Sequence, residues 1–187
     1  MSILDIRVLG DPILREETKE VGEITDEIRQ LVKNMFDTMY LAKGIGLAAP
    51  QVGRPERLAV IDVNEKPFVI IINPEIVEAD AKKDKAEEGC LSIPDVYGDV
   101  ERPSRVRVRA LDIEGKSFEV EATELLGRCL QHEIDHLHGK LFIDYLSVLK
   151  RRSAMSKWTK EKEKYPGFIR HLESDPTRSH EHPDEEL

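Results

Sequence analysis

The segment His132-Glu133-Ile134-Asp135-His136 constrains this chain more than any other. Two histidines four residues apart share one side only if the backbone is helical, where such residues stack about 6 Å apart. The flanks agree: Leu126 and Leu130 are apolar at the same spacing, and Gly139 closes the segment. A helix is therefore predicted from about Thr123 to Leu137. On that helix the two imidazoles can converge on one cation. The glutamate after the first histidine then sits beside it, where a carboxylate can take a proton from bound water. A metal lowers the pKa of such water towards about 7. The pattern points to hydrolytic metal chemistry, with His132 and His136 as ligands and Glu133 as general acid/base. The competing explanation is a surface helix with two ordinary histidines, since only three positions of H-E-x-x-H are fixed and His138 adds a third histidine to the region.

The third ligand decides the class. One group of proteases extends the motif to H-E-x-x-H-x-x-G-x-x-H; Gly139 matches, but the last position is Phe142. Another group uses a downstream glutamate, and Glu161 and Glu163 lie at a suitable separation within a lysine-rich segment. Cys129 comes three residues before His132, and a metal between the histidines would lie about 7–8 Å further along the axis at about 1.5 Å per residue. That is too far for a short thiol, so Cys129 is read as a core or pocket-wall residue. Cys90 is the better candidate. It stands in Glu88-Gly89-Cys90-Leu91-Ser92, where Gly89 lets the backbone pass close to another element; an ordinary buried thiol is the alternative.

Composition bounds the rest. The chain has 187 residues, 40% hydrophobic and 35% charged, which suits one globular domain with a real core. No apolar run approaches the roughly 20 residues of a membrane span. The start, Met1-Ser2-Ile3-Leu4-Asp5-Ile6-Arg7, lacks the basic and apolar regions of a secretory signal, so a cytoplasmic location is expected. Two cysteines make no disulfide framework. A formal charge of −9 argues against a general nucleic-acid or DNA binder. The charge is uneven, however. Residues 150–164 carry Lys150, Arg151, Arg152, Lys157, Lys160, Lys162 and Lys164 against Glu161 and Glu163, while the segment from Glu173 is acidic and poor in apolar residues.

Periodicity predicts the other elements. Thr25 is a plausible N-cap for a helix to Ala42, with Asp26 and Glu27 in its first turn. Ile28, Leu31, Val32, Met35, Phe36 and Met39 form one apolar face, and Lys43-Gly44 stops it. Arg57–Val63 and Phe68–Asn73 read as strands. Val106–Ala110 and Ser117–Ala122 alternate, with a hairpin turn at Glu114-Gly115. Glu78–Glu88 reads as an exposed, flexible loop able to gate a cleft, and Leu141–Tyr145 as a short strand. A last helix is expected over 147–164, ending before Pro166. The sum is an α+β fold: antiparallel strands packed around a central metal-binding helix, with an N-terminal and a C-terminal helix. Residues 1–166 are expected to form a single catalytic domain, and 167–187 a flexible acidic tail.

Three segments now line up in order: Gly44-Ile45-Gly46-Leu47-Ala48-Ala49-Pro50-Gln51, Glu88-Gly89-Cys90-Leu91-Ser92 and Gln131-His132-Glu133-Ile134-Asp135-His136. Together they resemble the three motifs of bacterial peptide deformylases. The resemblance runs from Val8-Leu9-Gly10-Asp11-Pro12 to the helix near Ser147. It implies removal of the formyl group from the N-terminal formyl-methionine of newly made polypeptides. It implies Cys90, His132 and His136 as ligands of one divalent metal with water as the fourth ligand, Fe²⁺ in the cell, with Zn²⁺, Ni²⁺ or Co²⁺ able to occupy the site. It carries over Glu133 as acid/base, the Gln51 amide and the Leu91 backbone N–H as oxyanion stabilisers, and Gly46 as a backbone partner for substrate.

The methionine side chain then needs an apolar pocket. Ile45, Leu125 and Cys129 are candidates for its wall, with Gly89 at the same site and Arg128 a departure whose charge would have to snorkel outward. Many members place an arginine near the entrance, where this chain has Tyr97 within Asp95-Val96-Tyr97-Gly98-Asp99. The resemblance also suggests that the basic segment 150–164 docks on the ribosome. Two other readings remain at this stage: a peptide-bond metalloprotease with a downstream glutamate ligand, and a non-enzymatic, metal-stabilised, ribosome-associated module. A site with three protein ligands favours an open, catalytic position over a closed structural one.

Overall fold

A helix that brings two imidazoles to one point must be held against something rigid, and the core supplies a sheet covered on both faces. The computed structural model describes residues 2–64 and 68–173. Its strands are β1 (Ile6–Arg7), β2 (Gly46–Ala48), β3 (Leu58–Ile61), β4 (Val69–Ala79), β5 (Lys83–Cys90), β6 (Ile93–Pro103), β7 (Arg105–Leu111), β8 (Ser117–Thr123) and β9 (Ile169–Arg170). Its α-helices are α1 (Asp26–Leu41), α2 (Glu124–Leu137) and α3 (Val148–Glu161). Five strands form one sheet in the order β2-β3-β4-β7-β8, while β5 pairs with β6 and β1 with β9. Every one of these strand pairs is antiparallel, so the α+β expectation holds.

The side chains of the sheet divide by parity. Leu58, Val60, Ile70 and Ile72 join the cluster of α1, with Leu31, Val32, Met35 and Met39. Ala59, Ile61 and Ile71 join that of α2, with Leu130, Ile134 and Leu137. Alternate residues point to opposite faces, so β3 and the start of β4 are unbroken apolar runs because both of their faces are covered. A third cluster packs α3 through Ala154 and Trp158 against Val96 and Val100 of β6 and against Val8. Among the described residues, no helix is long and apolar enough to cross a membrane.

Helix α1 begins as expected, with Thr25 Oγ1 accepting the Ile28 N–H at 3.4 Å. Its end is more specific. Lys43, not Gly44, takes the left-handed conformation (φ 59°). The Lys43 and Gly44 N–H groups return to the carbonyls of Tyr40 and Met39 at 3.0 and 2.9 Å, which closes the helix in a Schellman turn. Gly44 is needed for another reason: a Cβ there would lie 2.7 Å from Leu91 Cδ1.

Three expectations are corrected. The segment Glu78–Glu88 is no loop: β4 runs to Ala79 and β5 begins at Lys83. Its residues from Lys83 to Glu87 suit a ribbon whose side chains are exposed while its backbone is paired with β6 from Lys83↔Pro103 onward, because strand formation follows pairing as much as composition. Leu141–Tyr145 is no strand. Asp144 accepts the Leu141 N–H at 2.9 Å and closes a 3₁₀ turn over Phe142–Tyr145. The packed chain also continues past 166. Ile169 and Arg170 pair with Arg7 and Ile6, and the Val8 N–H donates to the Phe168 carbonyl at 2.9 Å. The rest of the expected tail, 174–187, lies outside the described residues.

Leu130 is fully buried at the contact of α2 with the sheet, whereas Leu149 on α3 is 79% exposed. Leu130→Ala is expected to cost about 2–5 kcal/mol, and Leu149→Ala no more than about 0.5 kcal/mol. Urea unfolding of the two variants against the parent protein checks the contrast.

Candidate active site

The spacing of α2 does what its sequence requires. The His132 and His136 rings meet edge to face with centroids 4.9 Å apart, and their Nε2 atoms are 3.2 Å apart. The end of β5 brings the third group: Cys90 Sγ lies 3.3 Å from His136 Nε2. One donor atom from each of Cys90, His132 and His136 falls within 4.8 Å of the others. One thiol and two imidazoles at this separation fit a single divalent cation, since bonds of about 2.0–2.3 Å put neighbouring ligand atoms that far apart. Glu161, the alternative ligand, instead pairs with Lys164 at 2.6 Å.

Glu133 points into the same place. It is 3% exposed, and its Oε2 is buried with no hydrogen-bond partner among the described residues. Burial favours the neutral acid, and it pushes the carboxyl up to about 7. The neighbouring backbone must come very close. A Cβ on Gly46 would overlap Glu133 Oε1 and would lie 2.8 Å from Cys129 Sγ, so only glycine fits at the start of β2.

Gln51 sits in the 3₁₀ turn Ala49–Val52 and is 1% exposed. Its Oε1 accepts the Ala48 N–H at 2.9 Å, which fixes the amide orientation. Its Nε2 donates to Ser92 Oγ at 3.1 Å and approaches Cys90 Sγ at 3.5 Å. Leu91 follows the cysteine, with its side chain against Gly44.

A charged network stands behind the histidines. His132 Nδ1 is 2.8 Å from Glu88 Oε1. The same carboxylate accepts from Arg102 at 2.7 and 2.9 Å and from Arg128 at 2.8 Å, and Arg102 also donates to Asp135 at 2.8 Å. Burial opposes the charge on Glu88, but the His132 and Arg102 contacts prevail and hold its carboxyl down at about 2. Sequence reasoning quoted Glu88 only as part of a motif and missed Arg102. A signal was available: Val96, Val100 and Arg102 stand at even spacing on β6 and are all buried, so the alternation places Arg102 inside.

A cleft of about 510 Å³ opens onto this group, lined by Ile45, Gly46, Gly89, Leu125 and Cys129 among others. All the expected pocket residues therefore reach it. Arg128 does too, and its guanidinium is tied to Glu88 at 2.8 Å, to the Val100 carbonyl at 2.9 Å and to the Asp84 carbonyl at 2.8 Å. Tyr97, 59% exposed, lays its ring over Gly89 across the β5–β6 ribbon.

Comparison with known proteins agrees with this geometry. Residues 3–152 match the model of the polypeptide deformylase family. The peptide deformylase of Acinetobacter baumannii is 51% identical over 159 residues, covering 84% of this chain and 90% of that protein. That of Hydrogenovibrio crunogenus is 54% identical over 163 residues, covering 86% and 96%. The crystal structure of a peptide deformylase from Legionella pneumophila superposes with a TM-score of 0.83 at 48% identity, over 87% of this chain and 97% of that one. One from Synechococcus elongatus, in complex with actinonin, gives 0.79 at 46% identity, over 82% and 86%. Half of the residues shared along most of the length, on the same fold, settle the matter: the chain belongs to the polypeptide deformylase family, metal-dependent hydrolases that remove the N-formyl group from nascent polypeptides.

Proposed function

We propose that deformylation here uses Cys90, His132 and His136 to hold one divalent metal, Glu133 as general acid/base, and the Gln51 amide and Leu91 backbone N–H as donors to the oxyanion. The observation that carries this reading is the convergence of the three donor atoms within 4.8 Å beside a buried, unpartnered carboxylate oxygen. A bound metal supplies Lewis acidity towards water and the formyl oxygen. The protein does the rest. Glu133, whose burial favours its proton-holding form, takes the proton of the attacking water and passes it to the departing amine, so the N–C bond breaks without expelling an anion. The Gln51 amide, oriented by the Ala48 N–H, and the Leu91 N–H meet the negative oxygen of the tetrahedral intermediate; one such donor is worth about 2.7–4 kcal/mol.

The substrate is a formyl-methionyl nascent chain. Its backbone runs beside Gly46: β2 is an edge strand of the five-stranded sheet and borders the cleft at Gly46, which suits strand addition. Ile45, Leu125, Cys129 and Gly89 receive the methionine side chain. One thiolate with two imidazoles suits Fe²⁺, Zn²⁺, Ni²⁺ or Co²⁺, and family resemblance favours Fe²⁺. Residues 1–166 together with β9 act as one catalytic domain, in the cytoplasm where nascent chains emerge.

The basic segment 150–164, which spans α3 and the turn after it, is read as a ribosome-docking surface. Arg152, Lys157, Lys160 and Lys162 are exposed and make no ion pair among the described residues, on a chain whose formal charge is −9. Such a face can displace counterions from RNA phosphates.

Anaerobically purified, metal-analysed protein should release formate from a formyl-Met peptide. Glu133→Ala should retain the metal and lose about 10²–10⁴ in kcat, and Cys90→Ser should lose the metal. A metal-loaded parent protein that releases no formate would defeat the reading, as would a Glu133→Ala variant of full activity. Glu88→Gln leaves Arg102 and Arg128 without their shared carboxylate. It should destabilise the fold by about 3–5 kcal/mol and weaken metal binding about 10–100-fold, measured by denaturant unfolding and chelator competition. Replacing Arg152, Lys157, Lys160 and Lys162 with glutamine should weaken ribosome co-sedimentation most at low salt; unchanged sedimentation at every salt concentration would remove the docking idea.

A further inference from the structure

Beyond residue 152, where the family match ends, the chain returns to the active-site cleft. Tyr165 and Arg170 both line the active-site cleft. The Arg170 guanidinium donates from Nη1 to the Leu91 carbonyl at 3.2 Å, and among the described residues it makes no ion pair.

The arginine is delivered by a well-anchored segment. Trp158 donates to the Leu9 carbonyl at 3.2 Å, and its ring stacks on Tyr165 with centroids 6.1 Å apart. The chain then turns, and β9 pairs with β1, Arg170 opposite Ile6. The other side of the same turn is tied as well: the Leu9 N–H donates to the Ser92 carbonyl at 2.8 Å. Two successive carbonyls after Cys90 are thus held, Leu91 by Arg170 and Ser92 by the backbone that follows β1.

We propose that Arg170 is a positioning residue for deformylation, clamping the Leu91–Ser92 turn so that the Leu91 N–H stays aimed at the oxyanion. The proposal rests on the role given to Leu91 above. An oxyanion donor works because it is already in place when charge develops, and small displacements of such groups are costly. The Leu91 side chain wedges against Gly44 and so fixes one side of the residue. The planar guanidinium fixes the carbonyl side through its Nη1 hydrogen bond.

The test compares Arg170→Met, which keeps the stem and loses every donor, with Arg170→Lys, which keeps a cationic donor. In metal-loaded protein, Arg170→Met should lower kcat about tenfold at unchanged KM, with a thermal midpoint within about 2 °C of the parent. Arg170→Lys should recover part of the loss. A parental kcat in Arg170→Met overturns the proposal. So does a rise in KM alone, which would make Arg170 a substrate-holding group, and so does a loss of kcat that tracks loss of metal or of thermal stability. The Leu91 amide resonance gives a second measure that needs no turnover. It should shift in Arg170→Met, and an unmoved resonance overturns the clamp even if the parent protein proves inactive and the assigned reaction fails.

Discussion

Glu88 is a carboxylate at a residue 6% exposed, and the arrangement of the site follows from the need to satisfy it. An isolated ionised group there would cost many kcal/mol. It is met instead by Arg102, Arg128 and His132, which between them make four contacts of 2.7–2.9 Å with its two oxygens. These partners come from β6 and from two turns of α2, while Glu88 itself lies two residues before Cys90 on β5. Satisfying one charge therefore sets the position of the hairpin that carries the thiol relative to the helix that carries the imidazoles. It also turns the His132 ring. With Nδ1 committed to Glu88, Nε2 is the atom left to face Cys90 and His136, as a carboxylate behind a metal-binding histidine commonly arranges.

The same burial has the opposite effect one residue along. Among the described residues Glu133 has no guanidinium partner, and its Oε2 has no hydrogen bond. Glu88 is therefore held ionised, while Glu133 is pushed up to about 7. Two carboxylates close to one metal site thus differ by environment alone: one is a fixed negative charge that holds the His132 ring, the other favours its neutral form. Glycine at 46 completes the contrast by letting backbone, not side chain, border Glu133.

Much of this was legible before any coordinates. The i, i+4 spacing on α2, the apolar face of α1 and the alternation of β7 and β8 are local patterns, and local patterns survive folding. That Gln51 and Cys90 come together was legible through motif order. What failed was decided at long range. The polar run Lys83–Glu88 is a strand because β6 supplies its partner. Leu141–Tyr145 has the composition of a strand, but Asp144 Oδ2 offers the backbone a competing bond, and Arg15 donates to the same oxygen at 2.6 Å. The segment after Pro166 is short and weakly apolar, and it folds because β1 is waiting for it. Arg102 was hidden because a single arginine among alternating charges reads as surface until its parity with Val96 and Val100 is taken seriously.

Sequence separation adds a consequence for how the site forms. Cys90 and His136 are 46 residues apart, and Gln51 and Cys90 are 39 apart, so no single element holds a working fraction of the centre. Helix α2 presents two imidazoles from its place on the sheet, but two imidazoles alone form an incomplete site. The third ligand arrives only when the β5–β6 ribbon closes over α2 and the Glu88–Arg102 pair leaves water. A metal that needs all three ligands must therefore favour the closed ribbon by the free energy with which it binds. In return, the buried charge network shapes the site before the metal arrives. Structural stability and metal affinity are in this way two readings of one contact, the Glu88 carboxylate against Arg102 and His132.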